Sequence, residues 1–143
     1  MSVLPDWPAG TVAILATGGE EPHAIPVSAL VRAGPLLVLL GLAHGRESLG
    51  RLRRQPRVTL AIVGEQLAVS VDGLARVVRE ELVEGVAAVA IDVRSVTDHR
   101  RPTFEIEAGV RWRWTDADAA GRDAEVQTAL SRLAVQARNG DAR

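Results

Sequence analysis

Arginine is the residue type in this chain that most invites a chemical reading. All 17 basic side chains are Arg, and five of them (Arg46, Arg51, Arg53, Arg54 and Arg57) fall in one short stretch. A guanidinium group pairs bidentately with phosphate, and the start of a helix adds free backbone N–H groups and a favourable dipole. Arg46, Ser48 and Arg51 therefore form a candidate phosphate clamp, set against the ordinary alternative of a solvated helix face. Arg53, Arg54 and Arg57 are expected to face solvent or pair with acids.

Other residues carry weaker chemical signals. His23, His44 and His99 stand apart, without the spacing of a zinc site or a catalytic triad, so structural or surface roles are expected; His44 lies nearest the candidate clamp. Trp112 and Trp114 could cover a bound ring system or seal an interface, with core packing as the competing role. Glu105 and Glu107 alternate on a short strand and could do acid–base work, although solvent exposure fits them better. Ser28 sits between apolar neighbours and its hydroxyl needs a partner in any reading. No residue stands out as a required catalytic acid, base or nucleophile, and none is assigned.

Composition narrows the possibilities. The 143 residues suit one domain, and 47% hydrophobic with 24% charged residues describes a chain able to build a core. A formal net charge of −1 gives no global reason to bind nucleic acid. The absence of Cys removes disulfides, thiolate nucleophiles and Cys-ligated metals, and the absence of Lys removes Schiff-base chemistry. Any redox chemistry needs a cofactor, and no metal site is expected. The opening MSVLPDWPAG lacks a leader pattern and no window approaches a membrane span, so a cytoplasmic location away from membranes is expected.

The elements that must position these residues read as mainly β. Short apolar runs separated by turn residues predict strands over 11–17, 23–32, 36–42, 57–63, 67–78 and 86–96, with a further alternating segment at 110–115. In that last segment Val110, Trp112 and Trp114 share a face. Leu36 to Leu42 is apolar throughout and reads as a central strand that needs cover on both sides. Gly64-Glu65-Gln66 predicts a hairpin turn and Gly73 a bulge. Arg46 to Gln55 predicts a short helix closed by Pro56. Val126, Leu130, Leu133 and Ala137 recur at helical spacing, predicting an amphipathic helix at about 123–138 with Asp123 as a candidate N-cap.

The order of these elements, with the phrases HAIPVSAL, LLVLLGL, RESLGRLRRQPRVTLAI and GLARVV, resembles the pyridoxamine 5'-phosphate oxidase-like split barrels over roughly residues 10 to 80. The resemblance implies a six-stranded antiparallel split β-barrel of Greek-key type occupying about 10–115 of a single domain (1–143), followed by the C-terminal helix. It also implies a homodimer holding FMN in clefts between its subunits, acting on a small-molecule substrate by hydride or electron transfer. Many flavin-binding members have a basic residue where this chain has Ser48, which leaves Arg46, Ser48 and Arg51 as the phosphate contacts. On the same resemblance Pro26, Val27 and Ser28 would address the flavin ring and Trp112 would cover it. A deazaflavin in place of FMN, or a split-barrel dimer that binds no cofactor and serves as a ligand-binding or interaction module, are the alternatives left open.

Overall fold

The computed structural model describes residues 3–141. Seven strands form one antiparallel sheet: β1 (Ala13–Thr17), β2 (His23–Val27), β3 (Leu30–Gly34), β4 (Leu37–Ala43), β5 (Arg57–Gly64), β6 (Leu67–Val83) and β7 (Val86–Asp98). Helix α1 (Glu47–Arg54) lies between β4 and β5, and helix α2 (Ala117–Asp141) closes the described chain. No helix among the described residues is long and apolar enough to cross a membrane.

The strand order is β2-β1-β5-β6-β7-β4-β3. Strands β5, β6 and β7 form a meander, and β4 lies beside β7 while connecting through α1 to β5, which is a Greek-key arrangement. The two edge strands, β2 and β3, are consecutive in the chain and joined by only Ser28 and Ala29. The sheet must therefore curl until its edges come close, yet β2 and β3 do not pair. The result is a barrel split along one seam, with seven strands where the sequence predicted six and without closure of the sheet. The predicted strand over 23–32 is two strands, because the chain leaves one edge at Val27 and joins the other at Leu30.

Alternation along the strands fills the barrel. Leu15, Leu40, Leu60, Ile62, Val71, Val89 and Ile91 are all fully buried on its inside. Leu49 and Leu52, three residues apart on one face of α1, join this core from one end. The register shifts at Asp72/Gly73, so the expected bulge is present. The β5–β6 hairpin turns through Glu65 and Gln66, with Gln66 at φ 54°.

Strand β4 is covered on both faces, as its apolar run demanded. Val38, Leu40 and Leu42 enter the barrel core, whereas Leu39 points outward into a second core made with Ala33, Ala88, Ala90 and the α2 residues Val126, Leu130 and Ala134. The helix sits close enough that a Cβ at Gly41 would stand 2.9 Å from Val126 Cγ1. Helix α2 begins earlier than predicted: the Asp116 carboxylate accepts from Ala119 N–H at 2.9 Å and caps it, while Asp123 lies inside the helix. The segment 110–115 is not a strand in this chain. Its aromatic residues have no neighbouring strand to pair with and lie on the surface.

Candidate functional site

Helix α1 brings three of the sequence-predicted residues together, in three different environments. Arg46 is the N-cap residue, extended at φ −75° and ψ 131°, and makes no side-chain cap bond. Its side chain is exposed and has no partner among the described residues. Ser48, in the first turn, is fully buried, and its Oγ has no hydrogen-bond partner among the described residues. Its hydroxyl is enclosed by the protein and not presented to the surface.

Arg51 is engaged with the protein itself. Its Nη1 donates to the Glu21 carbonyl at 2.7 Å and to the Gly18 carbonyl at 3.4 Å, and its Nε donates to Glu47 Oε2 at 3.2 Å. The same Glu47 oxygen is 3.2 Å from His23 Nδ1. This network ties the β1–β2 turn to the helix. Beside it lies an open depression of about 320 Å³ lined by Gly18 to Glu21, Arg51, Arg54 and Gln55. A carboxylate in the first turn also favours the helix dipole on its own account and opposes a bound anion there. For a phosphate, then, Arg46 and the free N–H groups of the first turn fit; Ser48 is enclosed and Arg51 is committed to backbone carbonyls.

The neighbouring basic and imidazole groups are structural. Arg53 forms a bidentate pair with Glu80 at 2.6 and 3.2 Å, and that hydrogen bond lowers the Glu80 carboxyl below its ordinary range. His44 donates Nε2 to the Glu80 carbonyl at 2.7 Å while its backbone N–H bonds the Gly85 carbonyl at 2.9 Å. The turn leading into α1 is thereby docked on the β6–β7 hairpin.

Pro26, Val27 and Ser28 lie along the seam. Pro26 is exposed on the edge strand β2, in register with Ile14, while Val27 points into the barrel core. Ser28 is buried, and its carbonyl accepts from Gln127 Nε2 of α2 at 3.0 Å. The Ala29 carbonyl accepts from Gly41 N–H at 3.0 Å, which carries the β3–β4 ladder one residue beyond Leu30. Gln127 thus belongs to this region, a contact that sequence spacing gave no means of seeing because it joins residues 99 apart.

Trp112 is elsewhere. Residues 104–115 run as an arm past the β5–β6 turn, where Gln66 N–H bonds the Ile106 carbonyl and Arg111 Nη2 reaches the Ala9 carbonyl at 3.2 Å. Arg57, following α1, and Gly64, at this turn, are opposite ends of β5, about 23 Å apart at ~3.3 Å per residue. One chain therefore does not gather Trp112 with Arg46. Trp112 and Trp114 meet edge to face, centroids 6.2 Å apart, and both are exposed rather than packed in the core. A cleft of about 580 Å³ opens between the arm and the barrel, bordered by Pro8, Thr11, Val63, Glu107 and Arg111.

Two further features complete the survey. Ser70 Oγ lies 2.7 Å from His99 Nε2 on the outer sheet face, an exposed pair with no third group orienting the imidazole among the described residues. No group of three or more His, Asp or Glu among those residues could hold a metal ion.

Comparison with solved structures identifies the architecture. A protein from Lactobacillus delbrueckii assigned as a pyridoxamine 5'-phosphate oxidase superposes with a TM-score of 0.55 at 18% identity, over 61% of this chain and 84% of the other. A FAD-binding protein from Mesorhizobium loti matches at 0.52 and 16% identity, over 62% and 84%. An F420 reductase matches at 0.54 and 10% identity, over 62% and 90%. The fold of this chain is the pyridoxamine 5'-phosphate oxidase-like split barrel. No family model and no curated protein matches the sequence.

Proposed function

We propose that this chain is a flavin-type split-barrel oxidoreductase that works as a homodimer, with FMN held between two copies and a small molecule as substrate. The observation that carries the reading is the fold, which is shared with a FAD-binding protein and an F420 reductase. Arg46 supports it as an unpaired guanidinium at an uncapped helix start, where a cofactor phosphate would be received. The flavin would supply hydride or electron transfer, while this chain's residues bind and orient it. Solubility in the cytoplasm accords with this reading.

A deazaflavin would use the same scaffold. A cofactor-free dimer is the second reading, and a specific observation favours it: Arg51 is committed to the Gly18 and Glu21 carbonyls, and Glu47 places a carboxylate in the first turn of α1. The ultraviolet–visible spectrum of the purified protein, followed by fluorescence titration with FMN and with a deazaflavin, separates the three. Saturation by FMN at one per subunit supports the proposal, and saturation by deazaflavin alone replaces the cofactor. A colourless protein that binds neither overturns the flavin reading and favours the cofactor-free module.

A further inference from the structure

The arm after β7 has the pattern of a strand but no strand beside it. From residue 104 to residue 115 it contains no turn or bend. Its even positions, Phe104, Ile106, Ala108, Val110, Trp112 and Trp114, are apolar, and its odd positions are polar or Gly. Such strict alternation marks a segment with one apolar face.

Most of that face is turned to solvent, with Ile106 half-buried beside the β5–β6 turn. A Cβ at Gly109 would overlap the Val63 carbonyl oxygen, so the glycine lets the arm lie directly on β5 at that point. Arg111, on the same side, reaches the Ala9 carbonyl. Phe104, Val110, Trp112 and Trp114 are left 49%, 65%, 41% and 45% exposed. The Ile106 carbonyl accepts from Gln66 N–H and so faces the barrel edge. In an extended segment the backbone groups of the adjoining odd residues project from the opposite edge. Among the described residues, the backbone N–H and C=O groups of residues 107–115 make no hydrogen bond. An edge of this kind is a template for another strand.

We infer that the partner strand is the same arm of a second copy, paired antiparallel about a twofold axis through Gly109. The charges select this partner. With Gly109 opposite Gly109, Glu107 falls opposite Arg111 and Glu105 opposite Arg113, twice each by symmetry. On the other face Phe104 meets Trp114, Ile106 meets Trp112 and Ala108 meets Val110. Opposite charges and aromatic pairs directly across a ladder stabilise it, and like charges there oppose it. Within one chain Glu105, Glu107 and Arg113 have no side-chain partner among the described residues. An isologous contact requires one surface to complement itself, and the order acidic, Gly, basic does so. A parallel pairing in the same register would set Glu against Glu and Arg against Arg. The inference deepens the dimer proposed above by naming its contact, and it does not need the cofactor.

Two charge-reversed proteins test it by sedimentation velocity over a concentration series. Arg111→Glu with Arg113→Glu makes every charge on the arm acidic, and Glu105→Arg with Glu107→Arg makes every one basic. Each alone should dimerise on the order of 100-fold more weakly than the parent, since like-charge juxtaposition costs several kcal/mol and each 1.4 kcal/mol is a factor of ten. An equimolar mixture restores all four opposite-charge pairs and should recover the parent's dimer. Restoration on mixing also shows that both variants are folded. A parent that stays monomeric, variants that dimerise as the parent does, or a mixture that stays apart would each overturn the inference. Flavin titration of the same samples keeps the two ideas distinct: a charge-coded dimer that binds no flavin sinks only the functional reading, and a flavin-binding dimer indifferent to the reversals sinks only the arm.

Discussion

Arg51 Nη1 donates to the Glu21 carbonyl at 2.7 Å, so a guanidinium expected from the sequence to grip a phosphate grips a backbone turn. The bond joins α1 to the β1–β2 hairpin, and with Glu47 and His23 it forms a continuous chain of contacts between the two.

This assigns different consequences to the two clamp arginines. Arg51→Ala removes charged hydrogen bonds from a largely buried side chain, and a loss of about 1.5–3 kcal/mol in unfolding free energy is expected, measured by urea denaturation. A variant as stable as the parent would show that the turn holds itself.

Arg46→Ala should have the opposite signature. Its exposed side chain supports no other group, so stability should change by less than about 0.5 kcal/mol. FMN affinity should fall roughly tenfold or more if the guanidinium meets the phosphate, as removal of one charged hydrogen bond predicts. Equal affinities for parent and variant, read by flavin fluorescence, would remove Arg46 from the site.

The packing of α2 on β4 makes a third expectation. Gly41→Ala puts a methyl group 2.9 Å from Val126 Cγ1 and should cost about 1–3 kcal/mol through overpacking. Val126→Ala opens the same space, so the double variant should be more stable than the sum of the two single effects predicts. Simple additivity in thermal or chemical unfolding would mean that the helix shifts away freely.

The start of the arm carries a pH dependence. Arg100 holds the Asp98 carboxyl down to about 2, first through its side chain and then through its backbone N–H, and Arg100 Nη1 also bonds the Gln66 carbonyl. The folded carboxyl binds its proton less readily than the unfolded one. Its contribution is therefore complete above the ordinary carboxylate value near 4 and is lost as pH falls from there through about 2. Carbon-detected NMR titration should place the Asp98 midpoint near 2, and Asp98→Asn should flatten the acid limb of stability. A midpoint near 4 would contradict the pairing.

Local sequence signals carried much of the fold. Alternation in RVTLAIV and the apolar run LLVLLGL marked β5 and β4, and Gly64-Glu65-Gln66 marked the turn from β5 into β6, because period-two burial and turn residues act over a few positions. The break at Ser28–Ala29 was not legible, since HAIPVSALVR keeps its alternation through a point where the chain changes from one sheet edge to the other. Likewise, VRWRWT has the pattern of a strand, and what it lacks is a neighbour within its own chain.

The candidate site divided in the same way. Residue types alone indicated that Arg46 and Arg51 could bind an anion and that Trp112 could cover a ring, because charge, hydrogen-bonding capacity and aromatic surface belong to the side chain itself. Only the tertiary structure decided that Arg51 is committed to the Glu21 and Gly18 carbonyls, that Ser48 is enclosed, and that Trp112 stands at the far end of β5 from α1. Whether a capable group is free depends on what the fold brings within hydrogen-bonding reach of it, and for Arg51 the Gly18 and Glu21 carbonyls that engage it are 30 or more residues away along the chain.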